Sequence, residues 1–350
     1  MHFASDNTGP AHPAVMAALS RANDGYVLGY GNDPLTEAVT DQIRTLFEAP
    51  DAAVYLAPTG SSANSLALAC LVEPYESVFC SGLAHIHVDE CSAPEFYTGG
   101  AKLVPVGTGD MIDPNMLEAA ITRGENWGVH GPGPGAVSLT NVTEAGNVLT
   151  LAQIRALTAV AQSHGLPVHL DGARYANACA ALGCSPADMS WKSGVDVAVF
   201  GGTKNGLLGA EAVIFFNPDH ARGFERRRKR GGHLFSKHRY LAAQFEAYLA
   251  DDLWLTLARQ ANATCDTLRA GLEDRGVAID NATHANMLFF RVPRRVHHAL
   301  YAAGAVYALH GAPDGDPAEQ IPGRLVVDWA KPMDQVEAFL AALDTAMVPA

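Results

Sequence analysis

A lysine stands among glycines in Phe200-Gly-Gly-Thr-Lys-Asn-Gly206, just past a run of apolar, β-forming residues. A lysine amine in low dielectric at the end of a buried strand is the setting for Schiff-base chemistry. Asp171 closes a second apolar run, Val168-His-Leu-Asp171, and is followed by Gly172-Ala-Arg174. A carboxylate buried at a strand end needs a cationic partner. A third run leads into Thr59-Gly60-Ser61 and then a helical pattern. Free backbone N–H groups, a hydroxyl and the positive end of a helix suit a phosphate there. Singly, each has an ordinary reading: a lysine that snorkels to the surface, an Asp–Arg pair or helix cap, small residues that only cap a helix. Together, a phosphate cup, an Asp and then a Lys follow the order used by pyridoxal-phosphate enzymes. In these the Asp keeps the pyridine nitrogen protonated and the ring becomes an electron sink.

The elements that must position these residues are legible as alternation. Strand signals lie at Ala52–Ala57, Ser77–Cys80, Leu103–Val106, Ala136–Thr140, Val168–Leu170 and Val195–Phe200, with Ala212–Phe216 as an antiparallel return. Helical patterns separate them, and Thr150-x-x-Gln153 is a capping box opening one of these helices. Continuous apolar strands spaced by helices predict a mostly parallel α/β sheet buried on both faces, with chemistry at the strands' carboxyl ends. After about residue 250 the character changes. A long helical pattern over Leu253–Asp274, strands at Met287–Val292 and Leu325–Val327, and a last helix carrying Val336, Phe339 and Leu343 predict a smaller α+β domain. The division expected is 1–250 and 251–350.

Composition bounds the function classes. The 350 residues are 48% hydrophobic and 17% charged, with a net charge of −13. That excludes a disordered chain and argues against general nucleic-acid binding. The low charged fraction, against about 25% in ordinary domains, suggests surface covered by another subunit. No apolar run reaches the ~20 residues that span a bilayer. The N-terminus lacks a basic and an apolar region, so it is not read as a signal peptide. Six cysteines show no CxxC pair and no zinc spacing, so no metal is expected. They read as buried, reduced thiols of a cytoplasmic protein. Residues 222–239 run against the overall balance, with eight basic residues and one acid, Glu225. The stretch is a solvated face, an anion site or a subunit contact.

Six stretches carry a resemblance: FASDN at Phe3–Asn7, GYGND at Gly29–Asp33, TGSSAN at Thr59–Asn64, AHIHVDECSAPEF at Ala84–Phe96, HLDGARYANACAALGCSP at His169–Pro186 and FGGTKNG at Phe200–Gly206. In this order they resemble the L-threonine aldolase family, the aldolase branch of the fold-type-I pyridoxal-phosphate enzymes often labelled beta-eliminating lyases. SPADMSWKSGVDVAVFGGTKNG looks like the low-specificity bacterial type. The resemblance implies a seven-stranded, mostly parallel sheet with flanking helices and pyridoxal 5′-phosphate as cofactor. The implied reaction is reversible retro-aldol cleavage of L-threonine or L-allo-threonine to glycine and acetaldehyde. The alternatives are an aldolase of bulkier β-hydroxy amino acids, of the phenylserine type, or a β-eliminating lyase.

The same resemblance implies roles. Lys204 is the Schiff-base lysine and Asp171 pairs with the pyridine nitrogen. Gly60 and Ser61 hold the phosphate, with Thr203 nearby. His85 lies over the ring and is a candidate base, while His87 is structural. Ser5, Arg174 and Arg324 form the clamp for the substrate carboxylate, and Arg174 also stands at the cofactor. His130 matches a second histidine near the substrate hydroxyl. Tyr30 and a cation from the basic stretch, Lys237 first and Arg230 next, reach the site of a neighbouring subunit. The expected assembly is a homotetramer, a dimer of dimers with shared sites.

Overall fold

The computed structural model describes residues 1–282 and 285–348. Its larger sheet contains β1 (Ala53–Ala57), β2 (Glu76–Ser81), β3 (Lys102–Val106), β4 (Gly133–Thr140), β5 (Val168–Asp171), β6 (Val197–Gly201) and β7 (Glu211–Phe215). The order across it is β1-β7-β6-β5-β4-β2-β3. Only β7 runs against the others, because it pairs antiparallel with both β1 and β6. The amino end of β7 therefore lies beside the carboxyl ends of its neighbours. The mostly parallel sheet expected from alternation is present, with the seven strands that the resemblance implies.

Burial explains the apolar strand sequences. All five residues of β6 and of β7 are buried, because helices cover both faces of the sheet. One face meets a large core that includes Phe47, Leu139, Leu170, Tyr175, Phe200 and Phe245. The other is covered by the helix Gly60–Leu71, through Ala63, Leu66 and Ala67 against Val197, Val213 and Phe215. Phe200 is fully buried, with ring centroids of Phe47, Tyr175, Tyr248 and Trp254 at 5.5–5.7 Å. Phe200→Ala is expected to lower the unfolding free energy by about 3–5 kcal/mol, read from the denaturant midpoint. A change under about 1 kcal/mol would show that this core collapses around the cavity.

The smaller sheet contains β8 (Ala278–Ile279), β9 (Met287–Pro293), β10 (Ala308–Leu309) and β11 (Gln320–Val326), in the order β10-β11-β9-β8. β11 begins five residues before the apolar segment that predicts it, because Gln320–Arg324 pair along β9. β8 and β10 are two residues long and carry no periodicity to detect. The helices Leu253–Glu273 and Met333–Met347 pack on this sheet. The N-terminus joins it as well. His2 bridges Val306, Val326 donates to the Phe3 carbonyl at 2.9 Å, and Phe3 packs edge-on against Phe339. Residues 4–7 are thereby drawn across to the large sheet's carboxyl edge.

Among the described residues no helix is long and apolar enough to cross a membrane. All six cysteines are free thiols, but Cys91 is exposed, against the expectation of burial. It sits in the turn Cys91–Ser92, where both residues have positive φ and the chain leaves the site loop for the surface.

Candidate active site

The phosphate cup forms where β1 turns into the helix Gly60–Leu71. Thr59 caps that helix: its Oγ1 accepts the Ser62 N–H at 3.3 Å, and its carbonyl accepts the Ala63 N–H at 3.1 Å. Among the described residues no backbone carbonyl takes the N–H of Gly60 or Ser61. These two donors face a cavity of about 280 Å³ at the carboxyl edge of the sheet. Nothing lies within 4 Å of where a Cβ of Gly60 would stand, so the cup has room for an anion.

Lys204 enters the same cavity from the turn Thr203–Asn205 that follows β6. Asn205 anchors the turn, donating to the Tyr248 hydroxyl at 2.7 Å and the Trp254 carbonyl at 2.8 Å. A Cβ on Gly202 would stand 2.2 Å from Leu207 Cδ1, so the chain passes here only as glycine. Asp171, at the end of β5, is buried. Its Oδ1 accepts from the Ala173 N–H at 3.0 Å, and its Oδ2 from the Asn64 amide at 3.0 Å. Asn64 also donates to Glu90 Oε1 at 3.1 Å. Its own Oδ1 and Glu90 Oε2 are buried with no partner, polar capacity left for a ligand.

His85 forms another wall of the cavity. Its Nδ1 lies 2.8 Å from Glu90 Oε1 and its Nε2 lies 3.6 Å from Asp89 Oδ2. The hydrogen bond to Glu90 raises the imidazole pKa against the opposing effect of burial, and the Glu90, Asp171 and Glu144 charges add to the rise. Among the expected residues, Lys204, Asp171, Gly60, Ser61, Thr203 and His85 line this single cavity. His87 is exposed and lines none of it.

The carboxylate clamp is assembled next to it. Arg174 is buried and donates through Nε and Nη2 to Asp6, at 2.7 and 3.1 Å. That leaves Nη1 for a ligand, so the clamp is narrower than a free guanidinium fork. Burial works against the charge of Arg174, but Asp6 outweighs it and raises the pKa. Asp6 is held below its ordinary value although burial opposes this, because Arg174 and Lys204 stand beside it. Arg324, on β11, donates to the Ala4 carbonyl at 3.1 Å, and its Nε is buried without a partner. Burial first, and then the like charge of Arg174, push its guanidinium below the ordinary value. Two guanidiniums that repel each other, one with a spare buried N–H, are relieved by a carboxylate between them. Ser5 Oγ accepts from the N–H of Asn7, a residue of the cavity wall.

Four expected residues, His130, Tyr30, Lys237 and Arg230, do not line this cavity in their own chain. His130 lies in the turn Gly128–His130, before β4, and is exposed. A residue before a parallel strand sits at the opposite edge of the sheet from the strand's carboxyl end. The eight residues of β4 put roughly 25 Å between them. The loop after β4 delivers Glu144 instead, whose charge reaches His85, Arg174 and Arg324. Thr143 and Asn147 hold this loop through Asp110 Oδ2, at 2.5 and 2.8 Å. Tyr30 is half exposed with φ 64° and carries Lys229 Nζ 4.6 Å above its ring. Lys237 is exposed on the loop before Arg239. Arg230 lines a second cavity with Arg227, Phe96 and Tyr97.

Asn64, Glu90, Asp6, Glu144 and Glu211 are site residues that motif reading passed over. Asn64 and Asp6 lay inside quoted motifs. The available signal was a polar residue one helical turn past the cup and, in Asp6, an acid three residues before the loop glycine Gly9. Glu211 opens β7 and is buried. Its Oε2 accepts the Gly202 N–H at 2.8 Å, and Oε1 lies 2.5 Å from Thr203 Oγ1. Thr203 Oγ1 also accepts the Ala210 N–H at 3.2 Å. Burial pushes the Glu211 carboxyl up to about 7, although its hydrogen bonds to Thr203 and Gly202 and the Lys204 charge oppose this.

Comparison with known proteins agrees with this geometry. A family model described as beta-eliminating lyase matches residues 2–294. The chain is 44% identical over 305 residues to a low specificity L-threonine aldolase of Pseudomonas aeruginosa, covering 86% of this chain and 87% of that protein. It superposes on the threonine aldolase of Leishmania major with a TM-score of 0.91 at 27% identity, covering 98% of both chains. A structure described as SPT with PLP shares the fold alone, at a TM-score of 0.68 and 17% identity, over 99% of this chain and 87% of that one.

Proposed function

Because the chain belongs to the beta-eliminating lyase family, we propose that it is a low-specificity L-threonine aldolase that uses pyridoxal 5′-phosphate. The observation that carries the reading is the convergence of Lys204, Asp171 and the Gly60–Ser61 donors on one cavity. The residues fit that cofactor: two free N–H groups for a phosphate, a buried carboxylate for a protonated ring nitrogen, an amine for an aldehyde carbon and an imidazole beside it. When bound, the cofactor supplies an electron sink for the pair released from the Cα–Cβ bond.

The chain's own residues do the rest. Lys204 Nζ would hold the cofactor through its aldehyde carbon. Arg174 Nη1 and Arg324 hold the substrate carboxylate, which fixes the Cα–Cβ bond in the orientation that lets it break. Asp171 keeps a proton on the ring nitrogen. His85 takes the proton of the β-hydroxyl, and the carbonyl of the leaving aldehyde forms as the Cα–Cβ bond breaks. A proton returned to Cα completes glycine. Glu144, from the loop after β4, takes the place beside the substrate hydroxyl for which His130 had been the candidate.

We read residues 1–250 as the cofactor-binding body and 251–350 as the small domain. Homotetrameric assembly in the cytoplasm completes the reading. It is supported by the outward-facing Tyr26, Leu28 and Phe96, 106%, 71% and 77% exposed, and by six unpaired thiols. Tyr30 and Lys237 would then serve a neighbouring subunit's site. The test is product analysis with L-threonine, L-allo-threonine, their D-enantiomers, phenylserine and β-chloroalanine. Glycine and acetaldehyde from both L-substrates and neither D-substrate are expected. Pyruvate from β-chloroalanine without glycine from threonine would replace the aldolase reading with the eliminating one.

A further inference from the structure

The sheet brings an acid to the cavity that the Thr59–Ser61 cup lines. Glu211 is in register with Ala57 on one side and Gly201 on the other. Ala57 leads into Thr59–Ser61, and Gly201 leads into Thr203–Lys204. Glu211, Thr59, Gly60, Ser61 and Thr203 line the same cavity. A carboxylate and a phosphate ester therefore meet in one buried site, where two anions repel strongly.

The hydrogen bonds offer a way out. With Glu211 ionised, the Thr203 hydroxyl donates to Glu211 Oε1 and accepts from the Ala210 N–H, so its single proton is committed. With Glu211 neutral, its own O–H donates to Thr203 Oγ1. The threonine still accepts from Ala210, and its proton is free for a phosphate oxygen.

We propose that Glu211 is a proton-linked part of the phosphate site: binding of a phosphate ester in the Thr59–Ser61 cup takes up one proton at Glu211 and transfers the Thr203 hydroxyl to the phosphate. The inference rests on the cofactor reading given above. The charged and titratable groups around Glu211 are few. Lys204 faces it from the turn after β6 and favours the ionised form. Tyr248 faces it from the helix Arg239–Leu249 and is itself raised by burial and by the Glu211 charge. Arg228, behind β1, is turned to the Leu56 carbonyl at 2.9 Å. Burial pushes the Glu211 carboxyl up to about 7. Below that pH no proton need be taken up, and above it each bound phosphate must bring one.

The test is binding of pyridoxamine 5′-phosphate to the apoprotein between pH 6 and 9. This probe cannot form a Schiff base with Lys204, so no imine formation enters the measurement. Pyridoxamine, which lacks the phosphate, reports the proton linkage of the ring. The expected result is a Kd for the phosphorylated probe that rises up to about tenfold per pH unit above 7, beyond any rise for pyridoxamine. Calorimetry in two buffers at pH 8 should count close to one more proton taken up with the phosphorylated probe. That count uses the unaltered protein and does not depend on a variant folding. Glu211→Gln should flatten the phosphate-specific slope and hold its pH 6 affinity at pH 9. Equal slopes for the two probes, or an unchanged slope in Glu211→Gln, would overturn the inference and leave the cofactor reading intact. Failure of the phosphorylated probe to bind at any pH would overturn both.

Discussion

Lys204→Ala is expected to remove the absorbance band near the visible edge that a lysine-bound pyridoxal gives, and to reduce glycine release to the rate of free cofactor in solution. The lysine is placed for this by its turn rather than by a partner charge. Asn205 ties the turn to Tyr248 and Trp254, and Gly202 leaves no space for it to shift. The amine reaches the cavity between the Gly60–Ser61 donors and Asp171. Among the described residues that line the cavity Lys204 alone carries an amine, so alanine removes the group that bonds the aldehyde carbon while the cup and Asp171 remain. Pyridoxal phosphate should thus still bind, with the spectrum of the free aldehyde. Lys204→Arg should behave alike, because a guanidinium keeps the charge but is not a nucleophile at neutral pH. A band that survives in either variant would mean that another amine holds the cofactor.

His85→Asn is expected to lower turnover by about 10²–10⁴-fold, the usual range for a general base, with cofactor occupancy nearly unchanged. Glu90 gives this prediction a second readout. It raises the His85 pKa through the 2.8 Å contact at Nδ1. A raised folded-state pKa means that the pair stabilises the fold fully below the ordinary histidine range, and that this contribution is lost as pH rises through the raised value. A base must be neutral, so turnover runs the other way and climbs through that same value. Glu90→Gln should therefore move the acid limb of the rate profile to lower pH. Equal loss of occupancy and turnover in His85→Asn would make the imidazole a stacking group only. An unmoved limb in Glu90→Gln would assign the limb to another residue, with Glu144 the first to examine.

Local chemistry made half of the site legible. Strand-then-glycine segments point to Gly60, Asp171 and Lys204, which the structure brings to one cavity, because a buried strand followed by a tight turn is recorded in consecutive residues. The capping box at Thr150 and Gln153 formed for the same reason. Asn64 and Asp171 meet although 107 residues separate them, and no periodicity records such a contact. Asp6 reaches Arg174 only because Phe3 is anchored in the small sheet's core.

Strand direction decided the remainder. An apolar run specifies that a strand is buried, but its side-chain pattern is the same read in either sense. His130 and Glu144 flank one strand, and its orientation alone sends the first to the far edge of the sheet and the second toward His85. Reversal of β7 puts its first residue, Glu211, among the last residues of its neighbours. The sequence by itself thus determined the fold class and singled out Lys204, Asp171 and the Thr59–Ser61 turn, which the structure gathers at one cavity. The tertiary structure decided which acids surround them, because long-range pairing sets the distances on which electrostatics depends.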